Sequence, residues 1–230
     1  MKLERIDTGD YTPEEYDRFL EDIRKVNRFA GDARALRRFV LSELGSVGQD
    51  TVSVLDVGAG SGELLRDVAD FSRKRRLISK LVGLELNRRS ARAILRESAE
   101  YPEILSVQGD ALEIPFPDKT FDFVISSLFV HHLTDRQIVV ALQEMSRVAR
   151  GTVVLIDLHR LPVALLAYKA FCSAFKISQL VRQDGSLSIL RGFKSNELRD
   201  YAREAGLRSY SVERSFPFRL VLVADSRNVG

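Results

Sequence analysis

From Thr51 onward, short apolar, β-branched runs alternate with amphipathic stretches, and this rhythm constrains the fold more than any other feature of the chain. Five runs follow in order: TVSVLDV, KLVGLEL, ILSVQGD, FDFVISSL and GTVVLIDL. Strands separated by helix-length amphipathic segments are the pattern of βαβ units, hence of a mainly parallel sheet. One intervening segment carries Leu64, Val68 and Phe71 on one helical face, and another starts at Thr134 with Gln137 three positions on.

Residues 160–190 interrupt the alternation. LPVALLAYKAFCSAF is followed by polar residues Gln183, Asp184 and Gly185, read as a turn, and the segment is expected to be an inserted lid. A last helix is predicted from about Ser195 to Ala205, stopped by Gly206, before SYSVERS and FRLVLVAD complete the sheet. Near the start, Thr12, Pro13 and Glu15 make a helix-initiating capping box, and helices are expected from Pro13 to Leu44. Neither a repeat nor a low-complexity linker divides the 230 residues, so one domain is expected. Its parts are a helical cap over 1–48, a core over 49–159, the lid over 160–192, and a last helix with two strands over 193–230.

Composition narrows the function classes. Thirty-five Lys and Arg against thirty-two Asp and Glu leave +3, and the short clusters Arg73 to Arg76 and Arg88, Arg89 read as solvated helix ends. No nucleic-acid partner is expected. Cys172 is the lone cysteine, which leaves no internal disulfide, CxxC pair or cysteine metal site and suits a reducing cytoplasm. Neither a secretory leader nor a membrane span is predicted, and no metal is expected.

The first strand runs into Asp56, Val57, Gly58, Ala59, Gly60, Ser61, Gly62, a tight turn that opens a helix and lets backbone approach a ligand. The dinucleotide spacing GxGxxG fails, because its third position falls on Glu63 from Gly58 and on Leu65 from Gly60. A phosphate-binding loop would need GK and then Ser or Thr, where this chain has Glu63 after Gly62. The ligand must therefore tolerate carboxylates, as a sulfonium with a free α-amino group does. Asp56 can meet that cation. Glu85, twenty-three residues after Gly62, can accept from both hydroxyls of a ribose. Asp110 can accept from an adenine amino group while Leu86 and Ala111 flank the ring.

These segments, VLDVGAGSG, LVGLELN, VQGDALEIPFPDKTFDFVISSLFVHHL and GTVVLIDL, resemble in order and spacing the class I S-adenosylmethionine-dependent methyltransferases, in the small-molecule branch of ubiquinone and menaquinone methylases. The resemblance covers roughly residues 51–157. It implies an α/β, Rossmann-like sheet of seven mostly parallel strands with an antiparallel last strand. It also implies S-adenosylmethionine as cofactor, S-adenosylhomocysteine as product, and a cofactor site of Asp56, Gly58, Ala59, Gly60, Gly62, Glu85, Leu86, Asp110, Ala111 and Ser126.

Methyl transfer needs acceptor and methyl group aligned, and often a base. The only histidines, His131, His132 and His159, follow predicted strand ends. His131, in HHLTD, resembles at one position the base histidine of plant phenol O-methyltransferases. His159 is the second candidate, with Arg160 available to an acidic group. The apolar lid residues Leu165, Leu166, Tyr168, Phe171 and Phe175 suit an aromatic or lipid-like acceptor. The expected activity is O-methylation of a small phenol, quinol or polyketide in secondary metabolism, by a monomer or homodimer. RNA or protein methylation, and cofactor binding without catalysis, stay open as alternatives. Against the first, the positions after the fourth strand read Ser126, Ser127, Leu128, Phe129 and lack an Asn/Asp, Pro, Pro, aromatic segment.

Overall fold

The computed structural model describes residues 31–44 and 50–226, with scattered positions between Thr12 and Val26. A helix α1 (Asp32–Leu36) continues through a π-helical segment, Arg37–Leu41, and a final turn, Ser42–Leu44. Then come β1 (Thr51–Val57), α2 (Glu63–Arg75), β2 (Ile78–Glu85), α3 (Arg88–Glu97), β3 (Ile104–Gln108), β4 (Phe121–Ser127) and a short 3-10 turn, Val130–His132. The chain continues through α4 (Asp135–Val148), β5 (Ala149–Leu158), α5 (Pro162–Ala174), α6 (Gln179–Arg191), α7 (Ser195–Glu204), β6 (Tyr210–Ser215) and β7 (Arg219–Asp225).

The seven strands lie in the order β3-β2-β1-β4-β5-β7-β6. β1 to β5 are mutually parallel, and β7 runs antiparallel to both β5 and β6. All seven strands read from the sequence are present, as is the expected antiparallel last strand. The central strands are apolar on both faces because helices cover both. On one side Leu55, Val124 and Leu155 pack with Leu142 of α4 and Leu198 of α7. On the other, Val54, Ile125 and Val154 pack with Val68 of α2, Ile94 of α3 and Val40 of the π segment. Strand order reverses between β1 and β4, so the loops leaving their carboxyl ends diverge and open a crevice, the usual ligand position in such sheets.

Local chemistry accounts for the element boundaries. Thr134 and Gln137 form the expected capping box at α4, and Thr12 with Glu15 forms another, the Glu15 carboxylate accepting from Thr12 N at 3.0 Å. Pro13 and most of the first helical stretch lie outside the described residues. At the amino ends of the strands, Asp122 accepts from the backbone and hydroxyl of Ser53 and from Arg150 Nε at 2.6 Å, joining β1, β4 and β5. Arg219 of β7 makes a buried two-pronged pair with Asp32 of α1, at 2.7 and 3.2 Å.

The segment between β5 and α7 folds as two helices. The polar residues Gln183, Asp184 and Gly185, expected to turn, lie in the middle of α6. Asp184 is only 5% exposed, and any Cβ on Gly185 would collide with the Tyr168 hydroxyl. The glycine is there for close contact of α5 with α6, where Tyr168 Oη donates to Val181 O at 2.6 Å.

Candidate functional site

The turn after β1 is shaped by left-handed backbone at Gly58 (φ 73°) and Gly60 (φ 57°), which strains any residue with a Cβ. A Cβ on Gly60 would meet nothing within 4 Å, so this point of the turn faces open space at the crevice. A Cβ on Gly58 would strike the Phe129 ring, which covers the start of the turn. The backbone N–H groups of Gly58 and Ala59 both donate to Leu84 O, at 3.0 and 3.3 Å, and Gly62 precedes the first residue of α2.

Two acidic strand ends converge on this turn. Glu85 Oε1 accepts from Gly60 N at 2.6 Å, so the end of β2 grips the turn directly. Burial raises the Glu85 carboxyl, and backbone N–H groups of Gly60, Asn87 and Leu86 oppose that rise. Asp56 is 2% exposed, its Oδ1 has no hydrogen-bond partner, and burial together with the Glu85 charge pushes its carboxyl up to about 8. A buried carboxyl facing another, with one oxygen unused, is complementary to a cation that can also donate hydrogen bonds.

Asp110 stands exposed just beyond β3, its Oδ1 accepting from Leu112 N at 2.9 Å. Ala111 beside it is buried, and Leu86 across from it is 66% exposed. The loop that carries Asp110 and Ala111 is fastened by Arg147 of α4, which donates to Ile114 O and Phe116 O, both at 2.9 Å, and pairs with Asp118 and Glu144. Ser126 is fully buried, and its hydroxyl donates to Val57 O at 2.8 Å, bracing β4 against the end of β1. Ser127, next to it, has a buried hydroxyl with no partner.

Beyond β4, His131 is 4% exposed, and its Nδ1 lies 2.7 Å from Oδ1 of Asp157, itself fully buried near the end of β5. The other Asp157 oxygen accepts from His131 N at 3.3 Å. His131 lines a cavity of about 340 Å³ with Leu133, Ile138, Phe193 and Tyr201, edged by Arg160, whose guanidinium pairs with Glu197. His159 is 6% exposed and does not line that cavity. Burial and the Arg214 guanidinium of β6 hold its imidazole below the usual range. The two histidines proposed as bases are thus in different surroundings. Asp157, Ser127, Phe129 and Arg147 were not identified from the sequence as parts of the site.

Residues 55–156 match the family model described as a methyltransferase domain. The chain is 34% identical over 116 residues to a demethylmenaquinone methyltransferase of Roseiflexus castenholzii, covering 50% of this chain and 46% of that protein. It is 30% identical over 163 residues to a ubiquinone/menaquinone biosynthesis C-methyltransferase of Hahella chejuensis, covering 67% of this chain and 63% of the relative. The chain spans about half the length of most of the curated relatives it matches. Among solved structures, magnesium protoporphyrin IX methyltransferase from Synechocystis, with bound S-adenosylhomocysteine, superposes with a TM-score of 0.63 over 93% of this chain and 94% of that one, at 15% identity, and so shares the fold. With the glycine turn, the acidic strand ends and the sheet order in the same stretch, residues 55–156 are a class I S-adenosylmethionine-dependent methyltransferase domain similar to that of the ubiquinone and menaquinone methylases.

Proposed function

We propose that the protein transfers the methyl group of S-adenosylmethionine to the hydroxyl oxygen of a small aromatic or lipophilic acceptor, a phenol, quinol or polyketide. The observation that carries this reading is the buried His131–Asp157 pair on the wall of the 340 Å³ cavity. When bound, the cofactor supplies a methyl group activated by sulfonium charge. The residues present fit it, because the unused Asp56 oxygen and the open face of Gly60 suit a cationic ligand with donor groups. Asp56 and the Gly58, Ala59, Gly60, Gly62 turn would hold the amino-acid part, Glu85 the ribose, and Asp110, Leu86 and Ala111 the adenine, with Ser126 bracing the strand beneath.

Asp157 accepts from His131 Nδ1, which leaves Nε2 to take the acceptor's hydroxyl proton as oxygen attacks. The Asp157 carboxylate then stabilises the imidazolium. Leu133, Ile138, Phe193 and Tyr201 would hold an aromatic ring and keep water from the reacting atoms. His159 is the second base candidate and is expected to matter less, because it lies outside the cavity.

The test is to incubate the protein with methyl-labelled S-adenosylmethionine and a panel of phenols and quinols and to identify the products by mass spectrometry. O-methyl products that vanish with His131→Ala while cofactor binding persists support the reading. Cofactor binding without transfer to any acceptor would overturn it in favour of a non-catalytic protein. A second reading, methylation at carbon, is favoured by the relatives named as C-methyltransferases. The same His131 would serve it by deprotonating a hydroxyl adjacent to the reacting ring carbon, and product structure separates the two.

A further inference from the structure

Helix α5, Pro162–Ala174, is apolar around its circumference yet lies at the surface. Its inner face, with Ala164 and Cys172 buried and Tyr168 and Phe171 half-buried, packs toward the sheet end and α6. Its outer face carries Val163, Leu166, Ala167 and Ala170, spaced as one helical stripe and all exposed. Val163 is 55% exposed and Leu166 68%, with Phe175 at the helix end 53% and Leu190 of α6 55%. A helix of a soluble domain ordinarily turns charge outward, whereas α5 has one charged residue, Lys169. Among the described residues no helix is long and apolar enough to cross a membrane.

Within the insertion itself the exposed charges are of one sign. Over residues 160–191 the exposed charged residues are Lys169, Lys176 and Arg182, and the single acid, Asp184, is buried. A second copy packed on this face about a twofold axis would bring those cations toward their own images, which disfavours self-association. An apolar stripe with a cationic border is complementary to an anionic bilayer, whose headgroups take Lys and Arg while the acyl boundary takes the apolar side chains.

We propose that α5 lies flat on an anionic phospholipid surface, with Val163 and Leu166 entering the acyl boundary and Lys169, Lys176 and Arg182 at the headgroups. The proposal goes beyond methyl transfer and does not depend on it.

The experiment is co-sedimentation of the full chain with phosphatidylcholine vesicles, with and without about one-third phosphatidylglycerol. The expected result is partition to the anionic vesicles that weakens as salt rises. Leu166→Asp combined with Val163→Asp should weaken partition by about tenfold or more, with cofactor affinity and circular dichroism unchanged. The chain has no tryptophan, so Leu166→Trp gives a single reporter, retaining an apolar side chain, whose emission should shift to the blue on anionic vesicles. Absence of partition, partition unaffected by the Asp pair in a folded protein, or an unshifted Leu166→Trp emission would overturn the proposal. So would self-association that Leu166→Asp abolishes in a protein that ignores vesicles.

Discussion

Asp157 holds His131 at two points, through the ring Nδ1 at 2.7 Å and through the backbone N–H at 3.3 Å. A carboxylate that grips both ring and backbone fixes the tautomer and the direction of the imidazole, so the positioning survives small movements of the 3-10 turn Val130–His132. Fully buried, it is shielded from bulk solvent.

If this pair acts as proposed, His131→Ala lowers kcat by about 10²- to 10⁴-fold and Asp157→Asn by about 10²-fold or more, while the cofactor dissociation constant moves little. Steady-state kinetics combined with calorimetric titration check this. Turnover within about twofold of wild type in both variants would remove His131 from the mechanism.

Asp56 predicts an unusual pH response. Its carboxyl is pushed up to about 8 in the folded chain against 3.8 for an ordinary aspartate, so between those values the native state holds a proton that the unfolded chain has lost. Stability contributed by this site therefore falls as pH rises from about 4 to about 8. Asp56→Asn, which cannot ionise, should melt higher than wild type near pH 8, by roughly 2–4 °C for each kcal/mol relieved. The same variant should bind S-adenosylmethionine at least about tenfold more weakly. At pH 7 wild-type binding should release protons, seen as a dependence of the calorimetric heat on buffer ionisation.

Asp32→Ala would leave the Arg219 guanidinium buried without its carboxylate, at a cost of about 3–5 kcal/mol. Thermal or urea denaturation should show the loss. Replacing both residues, as Asp32→Leu with Arg219→Met, should recover much of it, because the desolvated charge is gone.

Gly60→Ala and Gly185→Ala should fail differently. The Gly60 Cβ would enter open space, so the fold bears only a backbone cost of about 1 kcal/mol from the left-handed φ while cofactor affinity drops. The Gly185 Cβ would drive α6 off Tyr168, so stability falls by about 1–3 kcal/mol with cofactor affinity retained. Denaturant midpoints and cofactor titrations on both variants check the contrast.

The strands were legible because central parallel strands are written as unbroken apolar runs, and the α4 start because Thr134 and Gln137 carry a local code. The acidic strand ends Asp56, Glu85 and Asp110 were legible for the same local reason, each closing an apolar run. What escaped is what tertiary contact decides. Gly185 beside Gln183 and Asp184 has the composition of a turn, and only the Tyr168 ring on another helix makes it a helix-contact glycine. The partnership of Asp157 with His131 spans 26 positions and depends on the register of β4 with β5, which no local pattern encodes. The grip of Arg147 on the carbonyls of Ile114 and Phe116 is of the same kind.

The Asp56–Glu85 juxtaposition also bears on turnover. A pocket whose walls repel each other prefers an occupant with positive charge over a neutral one of the same shape. On the cofactor assignment proposed above, Asp56 and Glu85 would be neutralised by a sulfonium-bearing ligand and left unneutralised by its thioether product. The spent molecule would then be held less firmly than the fresh one, and its release would be favoured by the same burial and neighbouring Glu85 charge that raise the Asp56 carboxyl.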